Sequence, residues 1–384
     1  MKKIILVFGT RPEAVKMAPL YHELKKFEGE FKTLVCVTAQ HREMLDQVLN
    51  VFDIHPDIDL NLMKKRQDLF DITAGVILSM RDVIQNEQPD LILVHGDTTT
   101  SSIASIAGFY AGVSVGHVEA GLRTHDIRSP FPEEFNRRLT ALTAKFHFAP
   151  TEVARKNLLD EGISERNIFV TGNTVIDAML WVLARIESDK ERKRSVIAHL
   201  NQRLPFDWQG SQYVLITGHR RENFGEGFLQ IAGALNDLAC KYPKINFVYP
   251  VHLNPNVQEP IVSNLSSVPN IHLVEPLGYE PFIYLLKHCH IVLTDSGGIQ
   301  EEAPSLSKPV VVMRETTERP EGVEAGTVKL VGADRSKIVA AVSELLDSEE
   351  KHKKMAHAHN PYGDGQACEA IVNVIRQKNL EVYI

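Results

Sequence analysis

Short runs of consecutive apolar residues alternate with longer amphipathic stretches along most of this chain. Runs of strand length with no wet face are those of a parallel sheet covered on both sides. The pattern predicts strands over residues 3–8, 32–38, 91–94, 113–118, 146–149 and 168–170. Between them it predicts helices from 12 and from about 41, a long helix over 68–88, and others over 99–111, 134–145 and 152–161. That rhythm is the βαβ signature of a doubly wound domain. Around 188–210 it breaks into DKERKRS, with the composition of a solvated helix face, and the polar, proline-bearing QRLPFDWQGSQ. The end of an interdomain connection is placed there. A second series follows, with strands over 213–217, 246–250 and 272–274 and helices from about 227 and over 280–288. The fold class is therefore α/β with two Rossmann-like doubly wound domains, 1–175 and 176–365. A C-terminal segment of helical pattern from 366 to 384 is expected to complete the first.

The stretch 290–318, HIVLTDSGGIQEEAPSLSKPVVVMRETTE, reads as strand, glycine turn, helix, strand and charged loop. A helix beginning just after a strand leaves free N–H groups at its start, and glycines at 297 and 298 admit a close anion such as a diphosphate. Glu302 lies about one helical turn beyond Gly298, where its carboxylate can accept two hydrogen bonds from a ribose diol. In such sheets ligands bind beyond the carboxyl ends of the strands, so loops at 9–11, 95–98, 117–123, 218–223 and 295–298 are expected to converge on one cleft between the domains.

Composition narrows the class of function. At 384 residues, 43% hydrophobic and 24% charged, the chain suits a soluble protein of two domains. With 42 Lys and Arg against 49 Asp and Glu, there is no basic surplus for a nucleic-acid backbone. Cys36, Cys240, Cys289 and Cys368 are scattered and form no CxxC, which argues against a disulfide framework or a zinc site and for a reducing cytoplasm. The opening IILVF is cut short by Gly9 and Arg11 and reads as a strand rather than a signal peptide. No apolar run approaches the roughly 20 residues that span a bilayer.

Several groups carry candidate chemistry. Arg11 sits where Pro12 opens a helix, with Lys16 on that helix, and offers a bidentate grip on phosphate. His95 with Asp97, and His117 with Glu119, share faces if the strands run on with period two, so four polar groups gather at one sheet edge. Such a set also admits a metal, although no HExxH or DxH spacing supports one. Glu133 and Arg137, four apart, share a helix face after the rigid SPFPEE loop. The run GHRREN aims His219 and two arginines at an acidic ligand. The two GxG sites lack a third glycine and follow no strand, so no redox cofactor is indicated.

The motifs FGTRPEAVKMAP, TAQHREMLDQ, VHGDTTT, GHVEAGLRT, SPFPEEFNRR, VTGNTVID, GHRREN, YPVHLNP, TDSGGIQEEAPS, TTERPEG and NPYGDGQA occur together and in order. Over nearly the whole chain the sequence resembles the non-hydrolysing UDP-N-acetylglucosamine 2-epimerases. The resemblance implies a glycosyltransferase-B-like fold, a homodimer, no added cofactor, and interconversion of UDP-N-acetylglucosamine and UDP-N-acetylmannosamine, supplying N-acetylmannosamine for cell-surface polysaccharide. By motif it implies catalytic roles for Asp97, Glu119, Glu133, Arg137 and His219, with acid and base among the carboxylates left open. It assigns Arg11, Lys16, Phe282, Ser296, Gly297, Gly298, Glu302 and Arg319 to the nucleotide sugar.

Leu277 departs from the pattern, since relatives can carry a polar side chain there. The resemblance further implies a second, activating substrate site at Gln40, His41, Arg66, Arg220 and His252, against which Glu43 sets a negative charge where relatives can carry glutamine. A glycosyltransferase or a hydrolysing epimerase on the same fold would use the same nucleotide grip, and a non-enzymatic nucleotide-sugar sensor would have no use for three carboxylates.

Overall fold

The computed structural model describes residues 1–38, 42–62 and 67–380, with only the backbone at Arg42 and Glu43. The chain divides into two compact units, Met1–Trp181 with Tyr362–Ile384, and Val182–Pro361.

In the first unit the apolar runs form β1 (Lys2–Phe8), β2 (Phe31–Val37), β3 (Ile58–Asp59), β4 (Leu91–His95), β5 (Ser114–Val118), β6 (Phe146–Ala149) and β7 (Ile168–Val170). They make one parallel sheet ordered β3-β2-β1-β4-β5-β6-β7. Both faces are covered. On one, Ile5, Val7, Ile92 and Val94 meet Val76, Met80 and Ile84 of helix Leu69–Glu87 and Ile103 and Ala104 of helix Thr99–Tyr110. Each such side chain stabilises the fold by roughly 1.5–3 kcal/mol relative to exposure. Because the chain winds outward from β1 through β2 to β3 and then crosses back to β4 on the other side of β1, the β1/β4 gap is the topological switch point, with Phe8 and His95 ending the two strands that flank it.

The C-terminal helix Ala367–Gln377 joins this unit and packs on helix Arg11–Lys25. Its buried N-terminal amides are satisfied by Asp177, which accepts from Ala367 N–H at 3.3 Å and Cys368 N–H at 2.8 Å. In its last turn Arg376 forks onto Glu30 at 2.7 and 3.0 Å, and beyond the helix Ser114 Oγ donates to the Leu380 carbonyl.

The second unit repeats the plan with β8 (Tyr213–Thr217), β9 (Asn246–Pro250), β10 (Ile271–Val274), β11 (Ile291–Thr294), β12 (Val310–Val312) and β13 (Val328–Leu330). Its parallel sheet is ordered β10-β9-β8-β11-β12-β13, with the switch point between β8 and β11. Helices Glu226–Lys241 and Arg335–Asp347 bury Phe228, Leu235, Ile338 and Val342 against Ile216, Leu293 and Val311.

Observed and expected elements differ at a few places. The helix expected from Pro12 begins at Arg11, with Thr10 as its N-cap, and the one expected from 134 begins at Glu133. The polar stretch 188–210 is ordered. Asp189 caps helix Lys190–Asn201 by accepting from Glu191 and Arg192 N–H, and Val196, Leu200 and Trp208 are buried. Strands β3 and β13 and helices Thr174–Ser188, Pro255–Leu265 and Glu349–Ala356 are additions to the predicted set.

Three histidines on adjacent strands, His95, His117 and His147, are buried. Burial lowers their pKa values from 6.5 to about 4, 3 and 4 respectively. Each binds its proton in the unfolded chain near pH 6.5 but not in the folded one, so stability is fully present above that pH and falls as pH drops towards 4. The midpoint of thermal unfolding, followed by circular dichroism, is expected to decline steadily from pH 7 to pH 5. A midpoint unchanged over that range would show that the histidines do not enter the fold neutral.

Candidate active site

At the carboxyl edge of the first sheet the chain turns sharply out of each strand. Gly9 follows β1, and a Cβ there would overlap the Thr38 hydroxyl, so Thr38, Thr100 and the turn close together. Thr10 and Glu13 form a capping box. Glu13 Oε2 accepts from Gly9 N–H at 3.0 Å, Thr10 N–H at 2.8 Å and the Thr10 hydroxyl at 2.8 Å. Its Oε1 accepts from Thr98 Oγ1 at 2.7 Å and lies 3.0 Å from Ser101 Oγ, both beyond β4. Burial pushes this carboxyl above the usual range, while the bonds from Thr98, Thr10, Gly9 and Ser101 pull it back. Arg11, half-buried in the first helical turn, has no ion-pair partner among the described residues.

The expected alternation past β4 and β5 does not continue. β4 ends at His95 and Gly96 takes a φ of 64°, while Glu119 takes a φ of 63°. The left-handed region is unfavourable for a residue with a Cβ, and it turns Glu119 out of the strand. His117 stays inside and donates Nε2–H to the Gly96 carbonyl at 2.7 Å. Glu119 forms a short ion pair with Lys16, accepts from Asn173 Nδ2 at 3.3 Å, and lies 3.8 Å from His95 Nε2. That imidazole nitrogen is buried with no hydrogen-bond partner among the described residues.

Asp97 is paired instead with Arg137, Nη2 to Oδ2 at 2.5 Å, and its backbone carbonyl accepts from Asn136 Nδ2 at 2.9 Å. Asn136 is held by the Ser102 hydroxyl at 3.0 Å. Glu133 and Arg137 were expected to face each other. Arg137 reaches Glu134 at 3.2 Å, because that helix begins at Glu133 and Glu134 is turned inward, fully buried, to accept also from Thr124 N–H and Arg138. Glu133 Oε2 is buried without a hydrogen-bond partner among the described residues.

In the second unit Asp295 closes the β8/β11 switch point. Fully buried, it accepts from His219 N–H at 2.9 Å, Arg220 N–H at 2.9 Å and Asn223 Nδ2 at 3.2 Å. The His219 ring lies 3.5 Å from Asp295 Oδ1 and stacks at 5.9 Å on His252. Burial lowers the His219 pKa, helped by Arg220, His252 and Arg314, and Asp295 opposes the shift.

One residue on, Ser296 is the N-cap of helix Gly297–Ser305, and its hydroxyl makes no capping bond. Its N–H goes to Thr294 Oγ1, and the amides of Gly297 and Gly298 have no acceptor among the described residues. Arg319 lies against Gly297 so closely that a Cβ there would sit 2.6 Å from its Nη1. Glu301, buried, holds Arg319 Nε at 2.6 Å. Arg314 ties the Gly218–Asn223 turn to the loop before Arg319 through Glu222 at 2.6 Å and Glu318 at 2.7 Å. Glu302 receives the Tyr279 hydroxyl at 3.5 Å, and Phe282 and Leu277 are half-buried nearby in sequence. Arg220 Nε is buried without a partner among the described residues, and His252 is exposed. Gln40, His41 and Arg66 lie outside the described residues, as does the side chain of Glu43.

Sequence reasoning missed Glu13, Asn136, Asn173, Asp295 and Glu301. Only Glu13 carried a readable signal, the Thr-x-x-Glu spacing of a capping box. Among the described residues no three His, Cys, Asp or Glu side chains are grouped to hold a metal ion.

Two parallel sheets of Rossmann-like order, one with a glycine-opened helix start at its carboxyl edge, define a two-domain α/β protein of glycosyltransferase-B-like fold. The family model described as UDP-N-acetylglucosamine 2-epimerase matches residues 22–376. The chain is 52% identical to the UDP-N-acetylglucosamine 2-epimerase of Campylobacter jejuni, over 99% of both chains, and 55% identical to that of Yersinia pestis, over 97% and 98%. It is similar to the crystal structure of UDP-GlcNAc 2-epimerase from Neisseria meningitidis bound to UDP-GlcNAc, with a TM-score of 0.88 and 52% identity over 98% of this chain and all of that one. The chain belongs to the UDP-N-acetylglucosamine 2-epimerase family.

Proposed function

We propose that this enzyme epimerises UDP-N-acetylglucosamine at C2, reversibly and without cofactor, by eliminating and re-adding UDP. The sugar's C2 proton has no adjacent carbonyl, so removing it requires cleavage at C1. One carboxylate takes the proton, the C1–O bonding pair leaves with the UDP β-phosphate oxygen, and 2-acetamidoglucal remains. Delivery of a proton to the opposite face of C2 and return of that oxygen to C1 give UDP-N-acetylmannosamine. The observation that carries this reading is the division of labour between the units. One presents Asp97 and Glu119, each with its own cation, and Glu133. The other presents, beside Arg319, the amides of Gly297 and Gly298, which have no acceptor among the described residues.

Donors aimed at a departing diphosphate stabilise the charge that develops there. His219 and Arg11 join them in the proposal, Phe282 faces the base and Glu302 the ribose. Lys16, assigned by the resemblance to the nucleotide sugar, is ion-paired with Glu119. The cytoplasm is the proposed compartment, in keeping with four free cysteines among the described residues.

The purified enzyme, incubated with UDP-N-acetylglucosamine in D2O containing EDTA and followed by NMR, is expected to yield both UDP-sugars with deuterium at C2. Asp97→Asn, Glu119→Gln and Glu133→Gln should each slow that exchange by about 10²–10⁴-fold while UDP still binds. Free N-acetylmannosamine would mark a hydrolase, inertness without an acceptor a transferase, and near-normal turnover in all three variants would overturn the carboxylate roles.

A homodimer is also proposed. Helices Leu69–Glu87, Thr99–Tyr110 and Glu133–Thr143 pack side by side and expose Phe70, Leu78, Phe109, Tyr110 and Leu142. A groove of about 310 Å³ lined by Ile77, Leu78, Ile84 and Tyr110 lies among them. Such a patch is the hallmark of an interface. Sedimentation should show a dimer that Leu78→Glu with Tyr110→Lys converts to monomer; a wild-type monomer at micromolar concentration would refute it.

The second substrate site is proposed to use Arg220 and His252, with Gln40, His41 and Arg66. A ligand that binds one state of the enzyme better shifts the population towards it. Starting from UDP-N-acetylmannosamine alone, turnover should show a lag that traces of UDP-N-acetylglucosamine abolish and that Arg66→Ala alters. Lag-free kinetics in both proteins would remove the site.

A further inference from the structure

The Glu13 carboxylate occupies the place at the end of β1 where doubly wound folds commonly accept a ligand's phosphate. The amides that would receive such an anion, Gly9 and Thr10 N–H, both point at Glu13 Oε2. The same side chain is 2% exposed and its other oxygen serves a second loop, taking the Thr98 hydroxyl at 2.7 Å with Ser101 Oγ 3.0 Å away. Thr98 in turn caps helix Thr99–Tyr110 by accepting Ser101 N–H at 3.1 Å. Arg11 follows the first pair of donors and Asp97 precedes Thr98. One buried carboxylate is thus the shared fastening of the two loops on either side of the switch point.

We propose that Glu13 is a positioning residue that fixes Arg11 and Asp97 in register with each other, and that its carboxylate replaces a bound phosphate in the first unit. The diphosphate is thereby left to the open helix start at Gly297–Gly298. The two fastenings differ in chemistry: main-chain amides can only donate, so Oε2 must remain an acceptor, and the Thr98 hydroxyl, which accepts Ser101 N–H, donates to Oε1. A glutamine at 13 therefore keeps the amide side and weakens the hydroxyl side, and an alanine releases both. This rests on the roles proposed above for Arg11 and Asp97.

The test uses the full-length enzyme and two readouts, UDP affinity by calorimetry and the rate of deuterium entry at C2. Glu13→Gln should slow exchange roughly tenfold or more with UDP affinity within about twofold, since leaving one buried group unpaired costs on this order. Glu13→Ala should weaken UDP by roughly tenfold as well, and that further loss should vanish when Arg11 is already alanine, because the two act as a unit. Thr98→Val, which leaves the amide side intact but removes the hydroxyl side together with the cap of helix Thr99–Tyr110, should reproduce the Glu13→Gln pattern, Thr98→Ser should restore normal exchange, and the pair serves if Glu13→Ala does not fold. Equal losses of UDP affinity in the presence and absence of Arg11, or a Thr98→Val enzyme with normal exchange, would reduce Glu13 to a structural cap. An Arg11→Ala enzyme with unchanged UDP affinity would instead refute the proposed role of Arg11.

Discussion

The demand that a buried main-chain amide find an acceptor governs both halves of this protein. A parallel strand that ends at the sheet edge and turns into a helix leaves donors with no partner in the ladder, and each must be met by a side chain, water or a ligand. In the first unit Glu13 meets them after β1, and in the second Asp295 meets them after β8. The two carboxylates come from different directions in sequence, one from the helix that follows its strand and one from the end of β11. They nevertheless occupy corresponding sides of corresponding switch points. With those donors satisfied internally, the amides of Gly297 and Gly298, beside Arg319, have no acceptor among the described residues.

That distribution also orders the charges within each unit. Lys16 and Arg137 are each held by a carboxylate, and Arg319 is drawn back against Gly297 by Glu301. Cations committed to fixed partners are already oriented when an anion arrives, so little reorganisation is left to be done. The left-handed backbone at Glu119 belongs to the same arrangement, because only that turn brings its carboxylate back to Lys16 and His95.

How much of this could be read beforehand divides along physical lines. Strands buried on both faces announce themselves as unbroken apolar runs, and glycines next to a strand end announce a close approach, so the architecture and the 297–298 start were legible. β13 was not, since Lys329 interrupts its run with an exposed charge, and of helix Lys190–Asn201 only the charged, solvated face was legible, not the buried Val196 and Leu200. The anchors were illegible for a different reason. Asp295 and Asn136 bind main-chain groups, which carry no sequence signal, and HVEAG looks like a strand continuing through Glu119 when the backbone has already reversed. Arg137 was read as sharing a helix face with Glu133, and the ion pairs it makes are with Glu134 and Asp97.

The first unit is discontinuous: its last portion, Tyr362–Ile384, is made only after the whole of the second unit. Asp177 waits for the amides of Ala367 and Cys368, Glu30 for Arg376, and Ser114 for the Leu380 carbonyl. On a ribosome the half synthesised first is therefore the half finished last, and the insert has all of its strands before the sheet that precedes it has its closing helix. The N-terminal unit, with its carboxylates and strand ends, gains these contacts only once the chain has been made as far as Leu380, so synthesis that stops short of it leaves the second unit translated and the older one unfinished.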